Sequence, residues 1–287
     1  MTIAIEKEIR KSSPLRNGFF GLARSIFGLD FEKWYQAGDW TDRYLPYAAV
    51  VDGTVAANVS ANIIDTSFRG EKRRYIQIGT VMTAPDYRGR GLSRKLLEEL
   101  LSDWKDRCDG VYLYANDSVL DFYPKFGFRP AEEYQHTLPL IPQEGDFIRL
   151  DMDRADSRAL LLRCYQEGNP FSELPMLDNA GLLMFYCGGP LRDSVWYSPK
   201  HDTVCIAEFS GGILECFDLF GRPGGDLPAV LSELAQNPVR QARLGFTPKF
   251  PCPCQKLSEE DTTLFVLEGK ENLFRDNRLR MPALSRA

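Results

Sequence analysis

The sequence predicts an α/β protein with mixed α+β sheets, arranged as two domains. Residues 75–83 are apolar and rich in β-branched side chains, which is typical of a buried strand. After a short glycine turn, leucines recur at helical spacing over residues 92–104. The second half of the chain runs through a similar order of strands and helices without recognisable sequence repetition. We therefore expect one domain at residues 1–142 and a second at residues 146–287.

Composition and charge exclude several classes of protein. The 287 residues are 44% hydrophobic and 26% charged, which is typical of a globular chain with a core. The net charge of −5 argues against general nucleic-acid binding. The sequence has no apolar run of about 18 residues and no secretory leader, so we expect no membrane partner and a cytoplasmic location. Seven cysteines accompany only two histidines, which predicts reduced thiols and no metal site.

The first half opens with strands and glycine-interrupted helices. Residues 1–11 resemble an opening strand. Aromatic residues alternate with glycines over residues 12–39, which predicts short helices broken at Gly21, Gly28 and Gly38. Two strands then flank Asp52-Gly53, a dipeptide favoured in two-residue hairpin turns because both positions take positive φ. We expect these strands to form a hairpin.

The glycine turn after residues 75–83 has the properties of an anion site. Pro85 ends the strand, and Arg88-Gly89-Arg90-Gly91 leads into the helix. Unpaired N–H groups and the positive end of the helix dipole meet at this point, and glycine lets an anion approach the backbone. The P-loop and dinucleotide patterns do not fit, because Gly-Lys-Ser/Thr is absent and Arg94 occupies the position of a third glycine. The turn therefore predicts a pyrophosphate site of another kind.

A second block follows the helix. It consists of a strand at residues 111–115, a short helix at residues 117–126, and a strand at residues 133–140. Proline and glycine near residues 139–145 then indicate a linker.

The second half alternates strands with two helices. Its predicted strands lie at residues 147–152, 182–187, 194–197, 203–209, 212–220, 240–246 and 262–267. Its predicted helices lie at residues 156–167 and 226–235, the latter capped by Asp226. The glycine turn between residues 220 and 225 contains Pro223, which lacks an N–H donor, so we expect no second anion site there.

Two motifs resemble those of the GCN5-related N-acetyltransferases, the GNAT superfamily. Arg88-Gly89-Arg90-Gly91-Leu92-Ser93 resembles the acyl-CoA motif Arg/Gln-x-x-Gly-x-Gly/Ala, with Ser93 in the last small position. The segment from Asn116 through Tyr123-Pro124-Lys125-Phe126-Gly127-Phe128 resembles the family's Asn…Phe-Tyr-x-Lys-x-Gly-Phe segment. The resemblance implies two GNAT-like domains, the first with an intact acyl-CoA motif and the second degenerate. Tandem proteins of the Eis group are organised in a similar way.

The resemblance also implies roles for individual residues, with acetyl-CoA as co-substrate. The strand backbone at Val81, Met82 and Thr83 would hold the pantetheine arm and the thioester carbonyl. Asn116 would splay the neighbouring strand or bind pantetheine, and Tyr123 would act as general acid toward the CoA thiolate. The pyrophosphate would be bound by backbone N–H groups of the turn, namely those of Arg88, Gly89, Arg90, Gly91, Leu92 and Ser93.

The general base is not evident from the motifs. The family often places a glutamate in the motif strand, whereas this chain has Gln77 and Gly79 there. In the Eis group the C-terminal carboxylate reaches the active site, which suggests that the carboxylate of Ala287 takes the role here.

The function predicted from the resemblance is transfer of an acetyl group from acetyl-CoA to a primary amine of a small molecule or peptide. The first alternative is an acyl-CoA-binding sensor or catalytically inactive module, and the second is transfer of another acyl group. The identity of the acceptor and the oligomeric state, a homo-oligomer included, stay open.

Overall fold

A computed structural model describes residues 3–287, which form two seven-stranded sheets with helices packed against them. The strands are β1 (Ile3–Glu6), β2 (Tyr44–Val51), β3 (Thr54–Phe68), β4 (Glu71–Thr83), β5 (Gly110–Ala115), β6 (Phe128–Pro130), β7 (Tyr134–Pro139), β8 (Ile148–Arg149), β9 (Val195–Ser198), β10 (Thr203–Ser210), β11 (Ile213–Gly221), β12 (Gln241–Leu244), β13 (Cys254–Lys256) and β14 (Thr263–Leu267). The helices are α1 (Ser13–Phe27), α2 (Glu32–Gln36), α3 (Leu92–Trp104), α4 (Ala155–Glu167), α5 (Ala180–Cys187) and α6 (Leu227–Leu234).

The first sheet has the strand order β1-β2-β3-β4-β5-β14-β6. Its one parallel pair, among the described strands, is β4 with β5, and α3 makes the crossover that a parallel pair requires. The predicted hairpin joins β2 to β3, with φ of 47° at Asp52 and 84° at Gly53. Leu92, Leu96 and Leu100 of α3 are buried against this sheet, as the helical spacing predicts.

The second sheet has the order β13-β7-β12-β11-β10-β9-β8. Its parallel pair, β11 with β12, is joined through α6, in the same way that α3 joins β4 to β5. Asp226 caps α6, because its side chain accepts a hydrogen bond from the N–H of Ala229 at 2.8 Å. The two mixed sheets agree with the predicted fold class.

The two sheets exchange strands. β7, which falls inside the predicted range 1–142, pairs with β12 and β13 of the second sheet. β14, which falls inside the predicted range 146–287, lies between β5 and β6 of the first sheet. The sheets therefore do not coincide with the two predicted ranges, because strand partners are chosen by long-range pairing and not by position in the chain.

Two helices differ from the sequence-based expectation. The predicted strand at residues 182–187 is wrong: these residues belong to α5, whose first turn is capped by Asn179. Residues 181–184 are all buried, so the apolar run lacks helical periodicity and looks like a buried strand. The predicted helix break at Gly21 is also wrong, since α1 continues through it and ends at Gly28 with φ of 70°.

Two other elements are shorter than expected. The predicted helix at residues 117–126 is replaced by two short 3-10 turns, Asp117–Val119 and Tyr123–Phe126. Pro124 lacks the N–H that would continue a longer helix. The predicted strand at residues 147–152 is reduced to β8, and its next residue, Leu150, donates its N–H to Val195. Within residues 3–287, no helix is both long and apolar enough to cross a membrane.

Candidate active site

A cavity of about 740 Å³ opens where β4 and β5 diverge. The two strands pair only over residues 75–78 and 110–113, and beyond this point they separate. A bulge in β4 marks the divergence, since Asn58 lies opposite Met82 whereas Ser60 lies opposite Gly79. The bulge and the short parallel pairing leave the edge of β4 accessible from inside the cavity.

Buried hydrogen bonds hold the bulge in place. Thr80 has φ of 49°, a conformation that residues other than glycine rarely adopt. Its carbonyl accepts a hydrogen bond from Asn58 at 3.0 Å, and its hydroxyl lies 2.5 Å from that of Tyr44. Ser60 also donates to the Tyr44 hydroxyl at 3.0 Å, and burial raises the pKa of Tyr44 to about 12. The strained residue is thus fixed by a neutral polar cluster.

The structure brings most of the predicted acyl-CoA residues to this cavity. Of the predicted set, those that line it are Val81, Met82, Thr83, Arg88, Ser93 and Asn116. The others, Gly89, Arg90, Gly91 and Leu92, form the turn and helix start between Arg88 and Ser93. The side chain of Leu92 is buried in the core beneath α3, so only its backbone can face a ligand.

The turn itself has the geometry of an anion site. Gly89 and Gly91 have φ of 74° and 72°, so both positions favour glycine. No side chain among the described residues caps α3, which leaves its first N–H groups available to a ligand. The hydroxyls of Thr83 and Ser93 lie 2.7 Å apart and join the end of β4 to the start of α3. These residues fit an anionic ligand such as a pyrophosphate.

Tyr123 lies in the wall of the same cavity and is 4% exposed. Its ring packs against Phe122 and Phe128, with centroid distances of 5.2 and 6.2 Å. Burial raises the pKa of Tyr123 to about 12, so the phenol keeps its proton at neutral pH. A protonated phenol in this position can donate to a thiolate.

Asn116 makes a contact that the motif does not predict. Its side-chain amide donates to a carboxylate oxygen of Asp261 at 2.8 Å. The N–H of Asp117 donates to the other oxygen of the same carboxylate at 2.6 Å. Asp261 lies just before β14, so a residue from the far end of the chain positions the end of β5 beside the cavity.

Ala287 reaches the cavity beside the strand positions that lack an acid. Its N–H donates to the side-chain oxygen of Gln77 at 3.1 Å, and its carbonyl oxygen accepts from the Gln77 amide at 3.3 Å. A Cβ atom at Gly79 would lie 1.9 Å from that oxygen, so a side chain at position 79 is incompatible with this arrangement. Gln77 and Gly79 therefore accommodate Ala287.

Arg286, the residue before Ala287, interacts with side chains from several elements. The guanidinium of Arg286 lies 4.1 Å above the ring of Tyr114 and pairs with Glu133 at 3.3 Å and Glu259 at 2.5 Å. Its carbonyl accepts a hydrogen bond from Tyr186 at 2.6 Å. Glu133 is almost fully buried, and desolvation raises its pKa. Sequence reasoning missed these partners, although the acidic pair Glu132-Glu133 and the arginines near residue 286 were visible signals.

The opposite wall of the cavity is apolar. Ile26 and Phe27, at the end of α1, line it together with Leu29 of the following loop. The resemblance implies that the region between the first two strands, residues 12–39, helps to form the acceptor side of the site. The packing of α1 against β3 and β4 brings these three residues of that region to the cavity.

The chain matches a known family model over part of its length. Residues 18–131 match the model described as an acetyltransferase (GNAT) domain. This range contains β2 to β6, the turn at Gly89 and Gly91, and Tyr123. A search of curated proteins found no match.

Solved structures resemble this fold over almost the whole chain. A probable N-acyltransferase from Enterococcus faecalis V583 is 15% identical, with 93% of this chain and 71% of that chain covered and a TM-score of 0.57. Eis1 from Mycobacterium abscessus is 17% identical, with 92% and 73% covered and a TM-score of 0.54. A GCN5-related N-acetyltransferase from Kribbella flavida is 15% identical, with 92% and 71% covered and a TM-score of 0.56. At these identities the likeness shows the fold alone.

The family match and the fold agree with the motifs around the cavity. The tandem arrangement of two mixed sheets is shared with the similar structures across most of the chain. Residues 18–131 therefore match a GNAT acetyltransferase domain, and the chain as a whole has a fold similar to those of these structures.

Proposed function

We propose that this protein transfers an acetyl group from acetyl-CoA to a primary amine by direct attack. The observation that carries the proposal is a single cavity with three chemically distinct parts. Arg88 and Ser93 bring the anion turn to it, Tyr123 supplies a buried neutral phenol, and Ala287 lies against Gln77. The family match to a GNAT acetyltransferase domain supports the same activity.

Acetyl-CoA would bind along the edge of β4. Backbone groups of Val81, Met82 and Thr83 would meet the pantetheine arm and the thioester carbonyl. The first N–H groups of α3 and the cation of Arg88 would hold the pyrophosphate. Asn116, already bonded to Asp261, would border the pantetheine from the β5 side.

The reaction then needs one base and one acid. Primary amines have a pKa of about 10, so most molecules are protonated at neutral pH and a base must remove the proton. In the proposed step the amine nitrogen forms a bond to the thioester carbonyl carbon, and the carbon–sulfur bond breaks. Nitrogen loses two protons in all. The carboxylate of Ala287 takes the first from the ammonium group and passes it to solvent before the attack, and it takes the second as the amide forms. Tyr123 gives its proton to the departing CoA thiolate. Exchange with solvent restores both groups.

The acid role is tested with Tyr123→Phe. Removing the phenol hydroxyl should lower turnover by about tenfold or more, because general acid catalysis is typically worth that much. Isothermal titration should give an unchanged affinity for acetyl-CoA, since the ring still fills its place among Phe122 and Phe128. Unchanged turnover would show that Tyr123 is only a core aromatic.

The base role is tested at the end of the chain. Deleting residues 285–287, or adding one glycine after Ala287, should abolish most amine-dependent CoA release, because either change moves the carboxylate away from Gln77. Intact mass of the purified protein establishes that the tested chain ends at Ala287. Full turnover in both variants would remove Ala287 from the mechanism. Acetyl-CoA binding without release by any amine would favour an acyl-CoA sensor.

A further inference from the structure

We infer that the acceptor is a primary amine with a single positive charge and an apolar body, bound against Ile26, Phe27 and Leu29. This inference rests on the proposed transfer to an amine and names the chemical class of its acceptor. It follows from the charge of the cavity wall, the exposure of one aromatic side chain, and a second cavity next to the first.

The cavity offers no side-chain carboxylate to a polycation. Among the described residues that line it, none is Asp or Glu, and the charged side chains are Arg88 and Arg286. Glu133 and Glu259, the nearest acids of the tail network, are already paired with Arg286. A polyamine or a multiply charged sugar would leave its remaining ammonium groups without partners, which disfavours binding. One ammonium group facing Ala287 is the charge that this wall accommodates.

The apolar wall is partly exposed to solvent, and an apolar ligand would cover the exposed surface. The side chain of Phe27 is 44% exposed, although it borders a cavity lined by Ile26 and Leu29. Covering an exposed aromatic ring with an apolar group is favourable in proportion to the area removed from water. The wall therefore favours an acceptor with hydrocarbon next to its amino group.

A second cavity of about 520 Å³ continues this wall and shares Leu29 with the first. It lies between α2 and α5, and Trp34, Met184 and Phe185 are among its lining residues. The rings of Trp34 and Phe185 pack edge to face with centroids 5.7 Å apart. Because both cavities border Leu29, an apolar body that covers Phe27 would approach the second cavity at this residue.

Most of the charged side chains that line the second cavity form ion pairs, and Asp30 among them pairs with Arg24 at 3.1 Å, whereas Lys33 adds a positive charge. Arg158 bonds Asp39 at 2.7 Å, and Arg192 bonds Asp153. Such pairs have little charge left to attract a polycationic ligand. The second cavity, like the first, therefore favours a ligand with an apolar body over a polycationic ligand.

The first experiment measures CoA release with saturating acetyl-CoA and a series of primary amines. We expect kcat/KM to rise roughly fourfold for each methylene from propylamine to octylamine, from burial of hydrocarbon. Spermidine should be a poorer acceptor than octylamine. A flat series, with spermidine preferred, would overturn the inference while leaving amine acetylation intact.

The second experiment compares Phe27→Glu with Ile141→Glu, a control at a 77% exposed position outside both cavities. Phe27→Glu should lower kcat/KM for octylamine by about tenfold or more, because a charge replaces apolar contact surface. It should leave the affinity for acetyl-CoA within about twofold and raise the activity with spermidine, because the new carboxylate offers a partner to a second ammonium group. The control should match the wild type with both amines. Leu29→Glu should repeat the effect.

Two other outcomes would contradict the inference in distinguishable ways. If Phe27→Glu altered the preference between hexanoyl-CoA and acetyl-CoA but not the amine series, the apolar wall would hold the acyl chain, and the assignment to the acceptor would be wrong. If acetyl-CoA bound but no amine released CoA, the proposed function itself would fail, and the inference would fall with it.

Discussion

Ala287 can reach the cavity because Gly79 has no side chain. Position 79 is the point at which a Cβ would meet the carbonyl oxygen of Ala287 at 1.9 Å, far closer than nonbonded atoms approach. Gln77, two residues earlier on the same face of β4, then holds both the N–H and the carbonyl of Ala287. The absence of an acid in this strand is thus the same feature that makes room for Ala287.

Gly79→Ala should separate catalysis from cofactor binding. We expect amine-dependent turnover to fall by about tenfold or more, because the added methyl group displaces Ala287 from Gln77. The affinity for acetyl-CoA should change little, since the turn at Gly89 is untouched. The matched control is Gly21→Ala, where a Cβ meets nothing within 4 Å. Equal turnover in both variants would mean that Ala287 does not act in the reaction.

Asp218 is a buried carboxylate far from the proposed chemistry. It is 0% exposed, and burial raises its pKa to about 7. One oxygen accepts hydrogen bonds from Asn169 and from the N–H of Leu219, whereas the other has no partner among the described residues. The folded state therefore favours the protonated acid more than the unfolded state does.

This raised pKa predicts the direction of a pH effect on stability. Between the unfolded pKa of about 4 and the folded pKa, the folded state binds the additional proton, so the free energy of unfolding falls as the pH rises through this window. Asp218→Asn, which resembles the neutral acid, should lose less stability than the wild type between about pH 5 and pH 8. Urea unfolding at several pH values measures the difference. Parallel curves for the two proteins would contradict the raised pKa.

At the scale of an element, the role proposed for the turn before α3 depends on backbone conformation. Gly89 and Gly91 both have positive φ, and α3 begins directly after them, so its first N–H groups lie in the segment between Arg88 and Ser93, two residues that line the cavity. A side chain in this conformation costs about 1 kcal/mol and shifts the turn toward other conformations. The motif glycines are therefore required by geometry.

Gly89→Ala should weaken acetyl-CoA binding by about tenfold, because the N–H groups lose their alignment with the pyrophosphate. The matched control is Gly70→Ala in the β3–β4 turn, where φ is 83° and a Cβ would also meet nothing within 4 Å. Both variants should lose similar stability in urea, but the control should bind acetyl-CoA normally. Equal affinities in titration calorimetry would contradict the assignment of the turn.

β14 is the element that connects the second half of the chain to the site. It fills the place between β5 and β6, and Phe265 at its centre is 1% exposed in the core beneath α3. Asp261, just before it, holds Asn116 and the N–H of Asp117. The sheet that contains the matched range 18–131 therefore includes a strand from outside that range.

At the scale of the whole molecule, the strand exchange makes the two halves depend on each other. The predicted range 1–142 lacks β14, so β5 would have an open edge and β6 would lose the partner it has in the first sheet. The same range retains β7, whose partners β12 and β13 would be missing. Each half thus contains a strand that only the other half can pair.

A fragment of residues 1–142 should therefore fail to form a stable fold. We expect poorly dispersed amide signals in its NMR spectrum, in contrast to the full chain. Joining residues 260–268 to the fragment through a flexible linker should restore part of the dispersion, because the first sheet regains β14. A well-dispersed spectrum of the fragment alone would show that the first sheet closes without the exchange.

The strand, turn and helix over residues 75–104 were predictable, because their determinants are local. Apolar spacing, Pro85 and the two glycines act within a few residues of each other, and the motif at Arg88 to Ser93 identified the family. Most strands in the second half of the chain were also predictable, because glycine and proline turns separate them. The helix α5 was not, because it is buried along residues 181–184 and its sequence has no polar face.

The sequence by itself determined the mixed sheets, the glycine turn before α3 and the place of Tyr123 after β5, since short-range patterns encode them. Tertiary structure alone decided the exchange of β7 and β14, the apolar wall at Phe27 and the contact of Ala287 with Gln77. Those two residues lie 210 positions apart, and their contact depends on the packing of both sheets at once. No local pattern specifies such a contact, because its energy is realised only after the intervening chain has folded.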